Sequence, residues 1–141
     1  WGYIEDEKYA LMIKNLDSDG LVSWRGFLST NRLQEELCHC RALINTPKWN
    51  EAYGNVVVEA MACGVPVVAY RRGGPSEIIQ HGSTGFLVEP GNTEELLKYL
   101  KKINSLDRSK CRSWVENNAS TNIFTDKVEN WLQKIIKDFK N

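Results

Sequence analysis

The chain has 141 residues, 42% hydrophobic and 26% charged, with 18 Lys plus Arg balanced by 18 Asp plus Glu. That describes one soluble globular domain with a core of its own. It argues against nucleic acid or an anionic membrane as the main partner, and no apolar run reaches the roughly 18 residues of a membrane span.

The first residue is Trp, and "WGYIEDEKY" starts abruptly, as if leaving a strand. This reads as a piece of a longer chain, with no signal-peptide pattern. "DEKYALMIKNL" follows with Tyr9, Met12, Ile13 and Leu16 at helical spacing, and "DSDG" ends it. "LVSWRGFL" reads as a short strand over residues 21–25, and "STNRLQEELCHC" as a capped helix with Leu33, Leu37 and Cys40 on one face. "RALINTP" is a second strand ended by Pro47, and "VPVVAY" a buried third. Beyond it lie a short helix from Pro75, a strand in "TGFLVEPGN" and a helix in "NTEELLKYLKKI" capped by Asn92 or Thr93. "DRSKCRSWVENN" and the amphipathic "TDKVENWLQKIIKDF" close the chain as helices. Strands alternating with helices predict an α/β fold, a Rossmann-like parallel sheet with helices on both faces. Ligands of such sheets bind at the carboxyl ends of strands, which here means the loops 26–31, 47–55 and 71–75.

Between "NTP" and "VPVV" a right-handed crossover is required, so Val56–Val58 must be helical despite their strand preference. A helix over residues 55–63, ended by Gly64 and Pro66, places Gly54, Asn55 and Val56 at its N-terminus. Free N–H groups there favour a phosphate, and Gly54 permits close approach. Glu59, one turn in, can accept hydrogen bonds from paired hydroxyls, while Glu51 reaches past the phosphate. The plainer alternative is two surface charges flanking an ordinary crossover helix. Cys38, Cys40, Cys63 and Cys111 lack the paired spacing of a zinc site, so no metal is expected and the cysteines read as small apolar residues.

The run from Trp49 to Leu100 resembles retaining glycosyltransferase family 4, enzymes of the GT-B fold, in its C-terminal nucleotide-sugar-binding domain. The resemblance rests on Glu51 and Glu59 with seven residues between them, on E-A-M-A-x-G-x-P-V-V from Glu59 to Val68, and on the G-G-x-x-E-I and G-x-T-G-x-L-V segments from Gly73 and Gly82. It covers residues 20–104. It implies transfer of a hexosyl group from a UDP- or GDP-linked sugar with retention, in polysaccharide or glycolipid synthesis, with no metal or other cofactor. By position, Glu51 would be the catalytic residue, orienting the donor sugar at the reacting carbon for a front-face reaction, with a carboxylate nucleophile as the less favoured alternative. Tyr53, Gly54, Asn55 and Val56 would offer backbone N–H groups to sugar and diphosphate. Glu59 would hold the ribose, and Gly26, Phe27 and Leu28 would meet the base. The saccharide or lipid-linked acceptor would bind an N-terminal domain upstream of this chain. The location implied is cytoplasmic, with membrane-peripheral attachment open for the full-length protein.

Two departures stand out. Ala52 occupies a position commonly Gly, at a cost of about 1 kcal/mol if φ is positive there. The family's Arg and Lys on the diphosphate lie upstream of Trp1, so the isolated chain is expected to be inactive. Arg71 and Arg72 read as solvated loop residues more readily than as phosphate ligands. With the upstream strands missing from the sheet, strand 21–25 must re-pair or leave an open edge, and self-association through that edge or the C-terminal helix is expected. The competing function is a non-catalytic association module that keeps the fold and presents Trp114, Phe124, Trp131 and Phe139. A different GT-B activity, such as an epimerase or phosphorylase, fits the Glu pair and E-A-M-A-x-G less well.

Overall fold

A computed structural model describes residues 4–139. The opening Trp1-Gly2-Tyr3, where a preceding strand was expected to end, lies outside the described residues, as do Lys140 and Asn141. The chain divides into two compact units, Trp1–Glu36 and Leu37–Asn141.

In the first unit, α1 spans Glu7–Leu16 and begins where the Asp6 carboxylate accepts from the Tyr9 N–H at 2.9 Å. Its expected apolar stripe is largely exposed at Tyr9, Met12 and Leu16, and the buried residue is Ala10. Helix α2 spans Thr30–Cys38 and crosses the boundary between the units.

The expected strand at residues 21–25 does not form. The Asp17 carboxylate accepts from the N–H groups of both Leu21 and Val22 at 2.9 Å. Those are donors that a neighbouring strand would use, and a local side-chain acceptor competes for them. Alternating apolar residues favour a strand only where another strand is there to pair. Here Leu21 and Val22 stay exposed, and the Lys14 ammonium lies 5.3 Å from the Trp24 ring centre. The segment therefore neither re-pairs nor forms a sheet edge.

The second unit carries a three-stranded parallel sheet of β1 (Leu43–Asn45), β2 (Val67–Tyr70) and β3 (Gly85–Val88), in that order. Helix α3 (Asn55–Ala62) crosses from β1 to β2, and α4 (Pro75–Ile78) from β2 to β3. After β3 come α5 (Thr93–Lys102), a 3₁₀ turn at Ile103–Ser105, α6 (Arg108–Asn118) and α7 (Thr121–Asp138). The caps agree with the sequence: Asn92 Oδ1 accepts from the Glu95 N–H at 3.0 Å, and Pro75 opens α4.

Both faces of the sheet are covered, as the continuous apolar strands predict. Val67, Ala69 and Leu87 pack with Val57, Ala60 and Met61 of α3 and with Cys111 and Val115 of α6. Val68, Phe86 and Val88 face the other way, onto Ile103 with Leu96, Tyr99 and Leu100. Val57 lies in the first cluster with no exposure, so tertiary demand overrides the β-branched preference for strand. Cys111 is buried behind the sheet and donates its thiol to the Thr84 carbonyl at 3.4 Å, and burial pushes that thiol up to about 11. Helix α7 contributes no buried residue; Phe124, Trp131, Leu132 and Ile136 are exposed on it, as is Phe139 at its C-cap.

One side chain ties the ends of several elements together. The Arg108 guanidinium donates to the carbonyls of Gly64 (2.7 Å), Cys40 (2.9 Å) and Cys38 (2.9 Å). It thus satisfies carbonyls at and just past the C-termini of α2 and α3, where a helix leaves acceptors open and a cation is favoured. Arg108→Ala should destabilise the chain by about 2 kcal/mol, and Arg108→Lys should recover less than half of that, since an ammonium lacks the fork. Urea unfolding of the three proteins decides it; equal stability of Lys and Arg would count against the fork.

Candidate functional site

The loop after β1 and the start of α3 supply the centre of the site. Gly54 is the N-cap of α3 and takes φ 91° and ψ 58°, a left-handed conformation that costs an L side chain energy. It offers no side chain to cap the helix. The Gly54 carbonyl accepts from Val57 (2.9 Å) and Val58 (3.3 Å), while the N–H groups of Asn55 and Val56 meet no acceptor among the described residues. A helix start with open donors and a positive dipole end is an anion-binding arrangement.

The two carboxylates flank it. Glu51 is half-buried in the loop and accepts from the Trp49 indole N–H at 3.3 Å. Glu59 lies one turn into α3, exposed, four residues beyond Asn55 and three beyond Val56. Helical spacing therefore sets Asn55, Val56 and Glu59 on one face, opposite the buried Val57, Ala60 and Met61. Tyr53 is about half exposed beside them. The structure thus gathers Glu51, Tyr53, Gly54, Asn55, Val56 and Glu59 around one helix start. Gly26, Phe27 and Leu28 belong to the other unit, and a role at the base is carried by the resemblance alone.

Residues whose role the sequence reading missed hold the loop in place. The Gly74 N–H donates to the Glu51 carbonyl at 2.8 Å. A Cβ at Gly73 would fall 2.0 Å from the Glu51 carbonyl oxygen, and one at Gly74 2.3 Å from that of Tyr53. The Arg72 guanidinium donates to the Lys48 carbonyl, and Arg71 pairs with Glu89 at 3.0 Å. The loop after β2 is thus the support on which the loop after β1 rests, with Arg72 engaged in it, while Arg71 meets Glu89 just past β3. The sequence signal was the adjacent Gly73-Gly74 pair; what it packs against is set by the parallel register. Ala52 carries no strain, since no non-glycine among the described residues has positive φ.

Two cavities open near these loops. One of about 280 Å³ lies past the carboxyl ends of the strands and is lined by Pro47, Lys48, Tyr70, Arg72, Pro90 and Gly91. The other, of about 600 Å³, is reached from Tyr53 and Asn55 and runs to α4, α6 and α7.

A parallel sheet covered by helices on both faces, with an anion-type helix start past the carboxyl end of its first strand, defines an α/β ligand-binding domain of the Rossmann-like kind. Residues 2–121 match the family model described as glycosyl transferases group 1. The chain belongs to that family. It is 39% identical over 97 residues to sucrose synthase 3 of Arabidopsis thaliana, covering 65% of this chain and 12% of that protein. It is 42% identical over 82 residues to N-acetyl-alpha-D-glucosaminyl L-malate synthase of Bacillus anthracis, covering 58% of this chain and 21% of that one. Among solved structures, it superposes on Anabaena Alr3699/HepE in complex with UDP with a TM-score of 0.79 and 25% identity, over 91% of this chain and 36% of that one. The UDP-glucose complex of the same protein gives a TM-score of 0.74 and 26% identity, with the same coverage. The chain thus spans about one eighth of the sucrose synthase and about a third of the solved structure. Its architecture matches the C-terminal domain of GT-B glycosyltransferases, and it ends in a long helix.

The close contact of Gly73 and Gly74 with the site loop has a measurable consequence. Gly74→Ala should cost about 1–3 kcal/mol through overpacking against the Tyr53 carbonyl. Gly82→Ala, which meets open space but has φ 80°, should cost only about 1 kcal/mol of backbone strain. Amide exchange should show the loop 51–54 loosened in the first variant and unchanged in the second. Equal protection of that loop in both would remove the support role.

Proposed function

We propose that this chain is the donor-binding domain of a retaining glycosyltransferase. It would move a hexosyl group from a nucleotide sugar to an acceptor, in polysaccharide or glycolipid synthesis. The observation that carries the reading is the pair of open N–H groups at Asn55 and Val56, above a left-handed Gly54, with Glu51 before them and Glu59 one turn after. That arrangement suits a diphosphate between two sugars. The N–H groups take the diphosphate, Glu59 the ribose hydroxyls and Glu51 the hydroxyls of the transferred sugar. For the base, the family resemblance alone points to Gly26, Phe27 and Leu28. UDP is the favoured nucleotide, because structural relatives at 25–26% identity are described as complexes with UDP and UDP-glucose.

In the reaction, the bond from the anomeric carbon to the diphosphate oxygen breaks, and a bond to the acceptor hydroxyl forms on the same face. The acceptor proton passes to the departing phosphate oxygen. Donors fixed on the leaving diphosphate lower the barrier because its charge develops as the bond breaks. With Arg71 held by Glu89 and Arg72 by the Lys48 carbonyl, the remaining positive charge for the diphosphate is assigned to residues beyond this chain, as is most of the acceptor's binding site. The isolated chain would therefore bind nucleotide weakly and turn nothing over. No metal is required by this scheme. Among the described residues no helix is long and apolar enough to cross a membrane.

A second reading has its own support. The exposed aromatics of α7 and the outer edge of β1, where Ile44 is half exposed, suit a module that works by association. Titration calorimetry with UDP, GDP and ADP separates the two. The donor-binding reading expects UDP to bind most tightly and Glu59→Ala to weaken it about tenfold, or 1.4 kcal/mol. Absence of binding at millimolar nucleotide, together with concentration-dependent assembly in ultracentrifugation, would transfer the function to association.

A further inference from the structure

The cavity of about 600 Å³ lies beside the nucleotide-sugar loop and is formed within the second unit by the start of α3, by α4, and by α6 and α7. Its size falls in the range of about 300–1,000 Å³ usual for small-molecule sites. Its lining combines aromatic rings from Tyr53, Trp114 and Phe124 with polar groups from Asn55, Glu77 and Lys127.

We propose that this cavity is a saccharide-binding site. A pyranose ring has apolar C–H faces and a rim of hydroxyls. It needs flat aromatic surface on a face, and both donors and acceptors around the rim. The cavity supplies both. Tyr53 and Phe124 are 49% and 66% exposed, so their rings are open to a ligand. Trp114 is half-buried, packed on one side against the core, which fixes its orientation. The Glu77 carboxylate, the Asn55 amide and the Tyr53 hydroxyl have no side-chain hydrogen bond or ion pair among the described residues. The Lys127 ammonium donates to the Asn118 carbonyl at 3.2 Å, and the Asn118 amide donates to the Trp114 carbonyl at 2.8 Å. That chain ties α6 to α7 and leaves the lysine two further protons for a ligand. An apolar peptide would leave Glu77, Asn55 and Lys127 desolvated without partners, which is costly. A saccharide satisfies them.

Tyr53 and Asn55 flank Gly54, so one loop forms a wall of this cavity and the floor of the nucleotide-sugar site.

The test uses the 141-residue chain with maltotriose, cellotriose and chitotriose as probes. Trp114 is the reporter, through its indole resonance assigned with Trp114→Phe. At least one trisaccharide should shift that resonance with millimolar affinity. Phe124→Ala and Glu77→Gln should each weaken the binding at least fivefold while UDP affinity stays within twofold. Phe124 is exposed and outside the core, so its removal should leave the fold intact, which circular dichroism checks. Failure of all three sugars to move the resonance overturns the proposal, as does a shift that both variants retain. Binding of the apolar dye anilinonaphthalene sulfonate that no trisaccharide displaces would mark the cavity as a protein-docking surface, and would also overturn it. Because UDP is titrated separately, loss of the saccharide result with UDP binding intact leaves the donor-binding reading standing, and the reverse pattern removes that reading alone.

Discussion

The contact of Gly73 and Gly74 with the loop 51–53 is the constraint on which the site depends. Two backbones approach until no Cβ fits between them, and the Gly74 N–H closes the gap onto the Glu51 carbonyl. That fixes where Glu51 and Tyr53 leave the loop and so where α3 starts. The left-handed Gly54 then turns the chain into the helix with its first N–H groups pointing outward and unmet. An anion site of this kind needs no charged side chain of its own, since its donors are backbone groups held rigid by packing.

The packing that supports this loop comes from the sheet. Parallel strands buried on both faces can only be short and apolar, and the helices over them must be apolar on one side. Helix α3 meets the demand with Val57, Ala60 and Met61 against the strands, which leaves Asn55, Val56 and Glu59 on its open face. Core and site are thus two faces of one helix. Substitutions on the buried face would act on the site through position, and substitutions on the open face would act on it directly.

Much of this was legible along the chain. The helix order, the Asn92 cap, Pro75 as a helix start and the helical state of Val56–Val58 all followed from local chemistry and from the crossover rule. The motif residues Glu51, Gly54 and Glu59 were legible too, because their spacing maps directly onto a loop and one helical turn. Residues 21–25 were misread. Their apolar character favours a strand only where a partner strand exists, and Asp17 instead occupies the N–H groups of Leu21 and Val22. The sequence alone presents Trp114, Phe124, Trp131 and Phe139 as a surface for association. Trp114 and Phe124 instead line a cavity with Tyr53, a relation between residues some 60–70 positions apart that no local pattern encodes.

The sequence by itself determined the α/β class, the crossover helix and the residue types at its open end, because these depend on periodicity, caps and turn chemistry within a few residues. Tertiary structure alone decided which backbone rests on which. It made Gly73-Gly74 a support, engaged Arg71 and Arg72, and joined α3, α4, α6 and α7 around a common cavity. The physical reason is that parallel register brings together loops separated by a whole crossover, and contacts at that separation are set by how the layers stack.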